Sequence, residues 1–268
     1  MNSFKKQCIQ LRKKDKTLNE IVLITGRSKT SVWFHIKDIQ LSLRKKKEIG
    51  ENSGRRAIAL ADVRRGISKR EFKTFEEWTP KLVLLLAHLI FDGELSKNRC
   101  GYNNRSEALI ARVERLFDPI YSYEPKRYVD ERSGVLSIYH HNVALAYYLK
   151  NKADELLIVI GELSIEHQKE FIRAFFDDEG CMDYRPAGNK RCVRGYQKDR
   201  KVLVLVKKLL SNFGIESVIR EPNEVVITKK ENLIKFQKEI NFSKGVCPNP
   251  NRSNGLRKQE IEKREILD

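Results

Sequence analysis

Two short stretches of this chain end in an acid followed by glycine, and these acids are the residues best placed for chemistry. Leu85-Leu86-Ala87-His88-Leu89-Ile90-Phe91-Asp92-Gly93 has a counterpart 87 positions later, Ile172-Arg173-Ala174-Phe175-Phe176-Asp177-Asp178-Glu179-Gly180. Each reads as an apolar helix closing on a carboxylate, Asp92 in the first and Glu179 in the second. An acid at a helix C-terminus opposes the macrodipole, so neither residue gains from local helix electrostatics. Two such placements at equivalent positions are better explained by function than by stability. Carboxylates are hard oxygen ligands that suit Mg²⁺. The glycine after each acid lets the chain turn at once into the next element.

The elements that must position these acids also repeat. Gly101-Tyr102-Asn103-Asn104 precedes a helix over about 106–117, and Gly195-Tyr196-Gln197-Lys198 precedes one over about 200–213. Residues 135–139 and 225–229 read as strands, each leading into a further helix, and the second copy has a longer hairpin near 186–191. Each copy is therefore helix, strand, strand, helix, strand, strand, helix. The predicted fold class is α+β, a duplicated αββαββα domain with pseudo-twofold symmetry preceded by a small all-α domain. Leu82, Val83, Leu85, Leu86, Leu89 and Ile90 make the first motif helix apolar nearly all round, as a helix buried between layers should be. His88 inside it reads as a hydrogen-bonded packing residue, not a ligand. Adjacent His140 and His141 cannot share one strand face, so they read as exposed or packing groups.

Ahead of the repeats, residues 1–43 read as three short helices. Phe4, Cys8, Ile9 and Leu11 stripe the first; Thr17-Leu18-Asn19-Glu20 is a capping box that starts the second. Gly26 ends that helix, and Ser28 caps a third with Val32 and Ile36 on its buried side. Two short helices joined by a glycine turn make a helix-turn-helix, and Lys16–Asp38 is similar to those of resolvase-type recombinases and many prokaryotic regulators. Its recognition helix would present Lys29, Thr30 and Ser31 to base edges, with Trp33 and Phe34 as packing residues. The domain reading is 1–44 helix-turn-helix, 45–77 basic linker (with Ala57–Val63 able to form a short helix), 78–160 first repeat, and 161–268 second repeat with a C-terminal tail.

Charge points the same way. The 268 residues include 53 Lys and Arg against 36 Asp and Glu, a net +17, of which +11 falls in residues 1–79. Such an excess suggests a polyanionic partner, most often nucleic acid. No apolar run reaches the ~18 residues of a membrane span. Met1–Lys6 lacks the apolar core of a signal peptide, so an intracellular, cytoplasmic protein is expected. Five widely spaced cysteines signal neither a disulfide framework nor a zinc site.

On the paired motifs and the element order, residues of about 80–245 resemble the LAGLIDADG family of homing endonucleases in its single-chain, two-repeat form. The resemblance implies two motif helices packed side by side at a pseudo-twofold axis, with Ala87 and Ala174 where the family usually has glycine. It implies that Asp92 and Glu179, with Gly93 and Gly180, form a metal site for Mg²⁺ or another divalent cation. The activity implied is hydrolysis of phosphodiester bonds in double-stranded DNA, giving a staggered double-strand cut by a monomer with an internal pseudo-dimer. Lys152 and Lys244 are the lysines that roughly match the catalytic lysines of the family. Glu179 stands where Asp is usual, and Asp177 and Asp178 are expected as capping or surface groups. The strands after each motif would lie in the major groove. Their expected contacts are Ser96, Lys97, Asn98, Arg99, Asn103, Asn104, Lys126 and Arg127 in the first copy. In the second they are Asp183, Tyr184, Arg185, Lys190, Arg191, Arg194 and Lys198. Two rivals remain, a DNA-binding transcriptional regulator that keeps the fold without cutting and an RNA-splicing helper. No splicing blocks flank the repeats, so nothing suggests an intein.

Overall fold

The computed structural model describes residues 3–52, 70–96, 98–185, 190–248 and 261–267. The chain divides into two compact units, Met1–Lys69 and Arg70–Asp268. Among the described residues no helix is long and apolar enough to cross a membrane.

The first unit contains α1 (Ser3–Lys13), α2 (Leu18–Thr25) and α3 (Lys29–Ile36), and residues 43–52 are helical as α4. Local sequence dictates these boundaries. Thr17 Oγ1 accepts from the Glu20 amide while the Glu20 carboxylate accepts from the Thr17 amide, so the capping box is closed in both directions. Gly26 ends α2 at φ 64°, a left-handed conformation that glycine adopts without a Cβ clash. Ser28 caps α3 by accepting from the Ser31 amide. The core of this unit is small, with Cys8, Ile21, Val32 and Ile36 at its centre. Trp33 and Phe34 do not join it, contrary to the sequence expectation: they are 51% and 65% exposed. Val32 and Ile36 lie one turn apart and occupy the buried stripe of a helix only two turns long, leaving residues 33 and 34 on its other face.

The second unit contains α5 (Pro80–Phe91), β1 (Gly93–Leu95), β2 (Cys100–Asn104), α6 (Glu107–Phe117), β3 (Lys126–Asp130), β4 (Val135–His140) and α7 (Val143–Val159). The same order follows in α8 (Ile165–Glu179), β5 (Gly180–Arg185), β6 (Lys190–Tyr196), α9 (Arg200–Asn212), β7 (Val218–Arg220), β8 (Glu224–Ile227) and α10 (Lys230–Glu239). Two antiparallel sheets result, ordered β1-β2-β4-β3 and β5-β6-β8-β7. This is the duplicated αββαββα fold, of α+β class.

α5 starts at Thr79, whose hydroxyl accepts from the Leu82 amide, with Pro80 in the first turn where its missing N–H costs nothing. α5 packs along α8, with Ala87 and Ala174 fully buried and the Phe91 ring 5.3 Å from Phe171 and 5.2 Å from Phe175. Both motif glycines have the same steric cause. A Cβ on Gly93 would lie 2.2 Å from the Leu89 carbonyl oxygen, and one on Gly180 would lie 2.1 Å from that of Phe176. The strand leaves so close to the last helical turn that no side chain fits.

The two copies are not in one register. Gly93 pairs with Tyr102, whereas Gly180 pairs with Gly195, so Tyr102 is matched by Gly195 and not by Tyr196. Tyr102 is wholly buried and Tyr196 is 49% exposed. The shared Gly-Tyr dipeptide therefore misaligns the repeats by one residue, which in a strand exchanges the faces.

Residues 70–77, assigned to the linker on sequence, are strapped onto the second unit. Phe72 and Phe75 pack on its core, the Lys73 amide donates to the Ile120 carbonyl, and the Phe75 amide donates to Tyr148 Oη. The proposed short helix at 57–63 lies outside the described residues. At the other end, Ile261 and Ile266 pack on the same core, and the Lys263 amide donates to the Val246 carbonyl.

Candidate active site

The last turns of α5 and α8 bring His88, Asp92, Asp177, Asp178 and Glu179 together, and β2 adds Tyr102 and Asn104. Alternate residues of a strand share a face, and on β2 that face also carries buried Cys100. His88 Nδ1 lies 2.9 Å from Asp178 Oδ2 with both side chains fully excluded from solvent. Tyr102 Oη donates to Asp178 Oδ1 at 2.5 Å. Both oxygens of Asp178 are thus occupied. Asn104 Nδ2 donates to Asp92 Oδ2 at 2.7 Å and to Tyr102 Oη at 3.2 Å, linking the two acids. Asn104 faces this cluster, which corrects its expected place among the DNA contacts.

Asp177 and Asp178 are not surface groups. Asp177 accepts from the Ser243 amide at 2.8 Å and from Arg112 at 3.4 Å, and it is 2% exposed. Burial pushes its carboxyl up, against the pull of His88 and Ser243. Helical periodicity misses both residues because a polar pair next to a helix end looks like surface; their partners are at least 65 positions away in the chain.

Burial, then the negative charges of Asp178 and Glu179, raise Asp92 to about 8. Burial, then Asp178, raise Glu179 to about 7. The acids therefore feel one another's field, and at Asp92 and Glu179 burial and like charge outweigh the nearby cations. Among the described residues no hydrogen bond engages Asp92 Oδ1 or the Glu179 carboxylate. Nor are three or more His, Cys, Asp or Glu side chains grouped as a protein-only metal cage. Two carboxylates with open hard oxygens fit Mg²⁺, which is commonly held by one or two carboxylates with waters and substrate phosphates.

Sequence reasoning missed Lys263. Its side chain is buried, and Nζ donates to the carbonyls of Gly180 at 2.7 Å and Asp177 at 3.1 Å. Burial pulls its pKa down, opposed by Asp177 and Asp178. The ammonium satisfies carbonyls at the C-terminal end of α8 and offsets the negative end of its dipole beside the acids. Gly180 carbonyl is thereby engaged, which argues against its expected use as a metal ligand. No local pattern marks Lys263, because its partners stand 83 and 86 positions away.

Among the described residues, neither lysine chosen on sequence is hydrogen-bonded to Asp92 or Glu179. Lys152 pairs with Glu155 at 2.8 Å and lies over the rings of Phe75 and Trp78. Lys244 is exposed and lines a cleft with Arg112 and Arg173.

Strand register sorts the expected DNA contacts by face. Lys126 pairs with Tyr139 and Asn103 with Ser137, on the face opposite the buried Tyr102 and Ile138. Arg99 forks onto Glu94 with two 3.0 Å bonds and stacks 4.1 Å from the Tyr139 ring centroid on that same side. Ser96 closes the β1–β2 turn on the Arg99 carbonyl, and Asn98 is exposed there. Arg127 instead pairs with Ile138 in register and reaches Glu114 of α6, so it belongs to the helix side. In the second sheet Arg194 bonds Asp183 at 2.9 Å and Glu224 at 3.1 Å, opposite the face of buried Met182 and Val193. Tyr184 shares the buried face, packs on the core and is covered by Arg191 at 5.0 Å, so this pair is also on the helix side. Lys198 is exposed. Arg185 and Lys190 pair at the hairpin end; their side chains and all of Lys97 lie outside the described residues. In the first unit Lys29, Thr30 and Ser31 are exposed at the start of α3. His140 is 3% exposed between Phe117 and Tyr121, and burial lowers it to about 4, while His141 is exposed.

Residues 166–241, within the second repeat, match the family model of the LAGLIDADG-like domain. Among solved structures, the homing endonuclease I-DmoI in complex with its target DNA and Mg is similar at 22% identity. That match covers 60% of this chain and 95% of that chain with a TM-score of 0.47. Full-length DUF199/WhiA from Thermatoga maritima is similar at 14% identity, over 65% of this chain and 60% of that chain, with a TM-score of 0.46. A comparison with curated proteins found no match.

Proposed function

We propose that this protein is a metal-dependent, site-specific endonuclease of double-stranded DNA, acting as a monomer whose two repeats form an internal pseudo-dimer. One observation carries the reading. Asp92 and Glu179, at the ends of two packed helices, are raised to about 8 and about 7 by burial and by each other's acidic neighbourhood. Two carboxylates with open oxygens and like charge beside them suit a divalent cation, and perturbed groups of this kind concentrate at functional sites. When bound, the cation activates water for attack on the phosphodiester and stabilises the departing oxygen.

The chain's own residues orient the acids. Asn104 fixes one oxygen of Asp92 and leaves the other open. His88 and Tyr102 hold Asp178 in place, so its charge stays close to both ligands. The sheet faces bearing Asn103, Lys126 and Arg99, and Asp183 and Arg194, are the DNA-contacting surfaces in this reading. Lys29, Thr30 and Ser31 of α3 add contacts from the first unit. An intracellular location follows from such a substrate.

Selection of cut sites from a random DNA library in Mg²⁺ tests the reading, repeated with Asp92→Asn and Glu179→Gln. Site-specific cleavage by the natural chain, lost in both variants with binding retained, is the expected result. Site binding without any cut by the natural chain would assign it to transcriptional regulation instead.

A further inference from the structure

The helix side of the second unit holds a cleft of about 370 Å³, lined by residues of α5, α6, α8, the segment after α10 and the C-terminal segment, with no strand residue in its wall among those described. Four cationic side chains line it, Arg112, Arg173, Lys244 and Arg264, and among the described residues no acid does. Two of the four are held in place from behind. Arg112 bonds Asp177 at 3.4 Å and the Lys244 carbonyl at 3.5 Å. Arg173 bonds Glu170 at 2.7 Å and the Ile240 carbonyl at 3.1 Å. Their side chains are three-quarters or more buried, at 22% and 25% exposure. Lys244 and Arg264 are exposed at the rim, and Leu84 and Phe242 supply apolar wall.

We infer that this cleft is a binding site for a small phosphate-bearing molecule of nucleotide size. Pre-positioned guanidinium groups recognise phosphate with little loss of side-chain freedom. Glu170 and Asp177 offset two of the four charges, and the two rim cations supply the net attraction. The cleft has the volume of an ordinary small-molecule pocket, more than a bare ion needs, and its apolar wall offers a surface for a base or similar ring. Nothing in this assignment depends on DNA cleavage.

The test is calorimetric titration of the full chain, without DNA, with inorganic phosphate, pyrophosphate and a nucleoside 5′-monophosphate in separate arms. Saturable one-to-one binding is expected, tightest for the nucleotide if the apolar wall takes the base and for pyrophosphate if charge alone decides. The rim variant Lys244→Ala/Arg264→Ala should weaken it about tenfold or more with an unchanged melting temperature, since the two exposed cations supply the net charge of the cleft. Undetectable binding at millimolar ligand, or equal binding by the rim variant, overturns the proposal. So does a rim variant whose only change is a shallower salt dependence of duplex-DNA binding, because the cleft would then be a DNA contact.

Discussion

His88 faces Asp178 across the packed motif helices at 2.9 Å, and the repeat-related positions, Phe175 and Phe91, face each other as rings 5.2 Å apart. One arm of the crossing is therefore polar and the other aromatic. The strand beneath each arm is adjusted to match: Tyr102 bonds Asp178 on the polar side, whereas Gly195 makes room for the Phe175 ring, which would lie 2.3 Å from a Cβ there. Three repeat-related positions thus differ between the halves, each set fitting its own arm.

Asp178→Ala should destabilise the second unit by about 3–5 kcal/mol, because it leaves buried His88 and Tyr102 without their common partner. The triple variant His88→Phe/Tyr102→Gly/Asp178→Phe copies the aromatic arm and should recover most of that loss. Urea denaturation of both variants decides it; a triple variant no more stable than Asp178→Ala would refute the coupling.

The raised acids set a pH dependence. Asp92 and Glu179 titrate near 8 and near 7 when folded, against ordinary values of 3.8 and 4.5, so the folded state holds protons that the unfolded chain has lost. Stability without a divalent ion should therefore fall as pH rises from about 4 to about 8. His88 acts in the same direction. Although burial works against its charge, Asp178 raises it above 6.5, and its contribution is lost as pH rises through the folded value. Thermal melts from pH 5 to pH 8.5 should show the decline, and Asp92→Asn should flatten it. Mg²⁺ should raise the melting temperature more at pH 8 than at pH 5; an equal rise at both would count against carboxylate ligands.

Lys263→Met should cost about 1–3 kcal/mol for each carbonyl left unsatisfied, those of Asp177 and Gly180. The same variant should lower Mg²⁺ affinity, read by calorimetry, as the end of α8 loosens. Unchanged melting and unchanged affinity would make the tail lysine a bystander.

Gly93→Ala and Gly180→Ala should each cost about 1–3 kcal/mol or more, since the new methyl meets backbone that cannot move aside. Gly161→Ala, where a Cβ meets nothing within 4 Å, is the control. Comparable melting temperatures for all three would remove the steric argument.

Trp33→Ala and Phe34→Ala should leave the first unit folded, because both side chains are more than half exposed. If α3 grips DNA, each should weaken duplex binding by several-fold. Lost helicity in either variant would show that the exposed rings support the fold.

The chain's own residues determine the element order, the helix caps and the two acid-glycine endings. Each of these depends on neighbours within four positions, and backbone hydrogen bonding and side-chain periodicity act at that range. Tertiary structure alone decided the rest of the site. His88 and Tyr102 find Asp178 from 90 and 76 positions away, and Lys263 reaches Gly180 across 83. A buried aspartate next to a helix end has the local signature of a solvated one, and a lysine near the terminus that of a tail. The one-residue slip between the repeats was hidden for a related reason: the Gly-Tyr dipeptide recurs, but strand pairing is set by which side chain fits under the helix. Arg127, Tyr184 and Arg191 fell on the helix side because a strand alternates faces, and register decides which face is which.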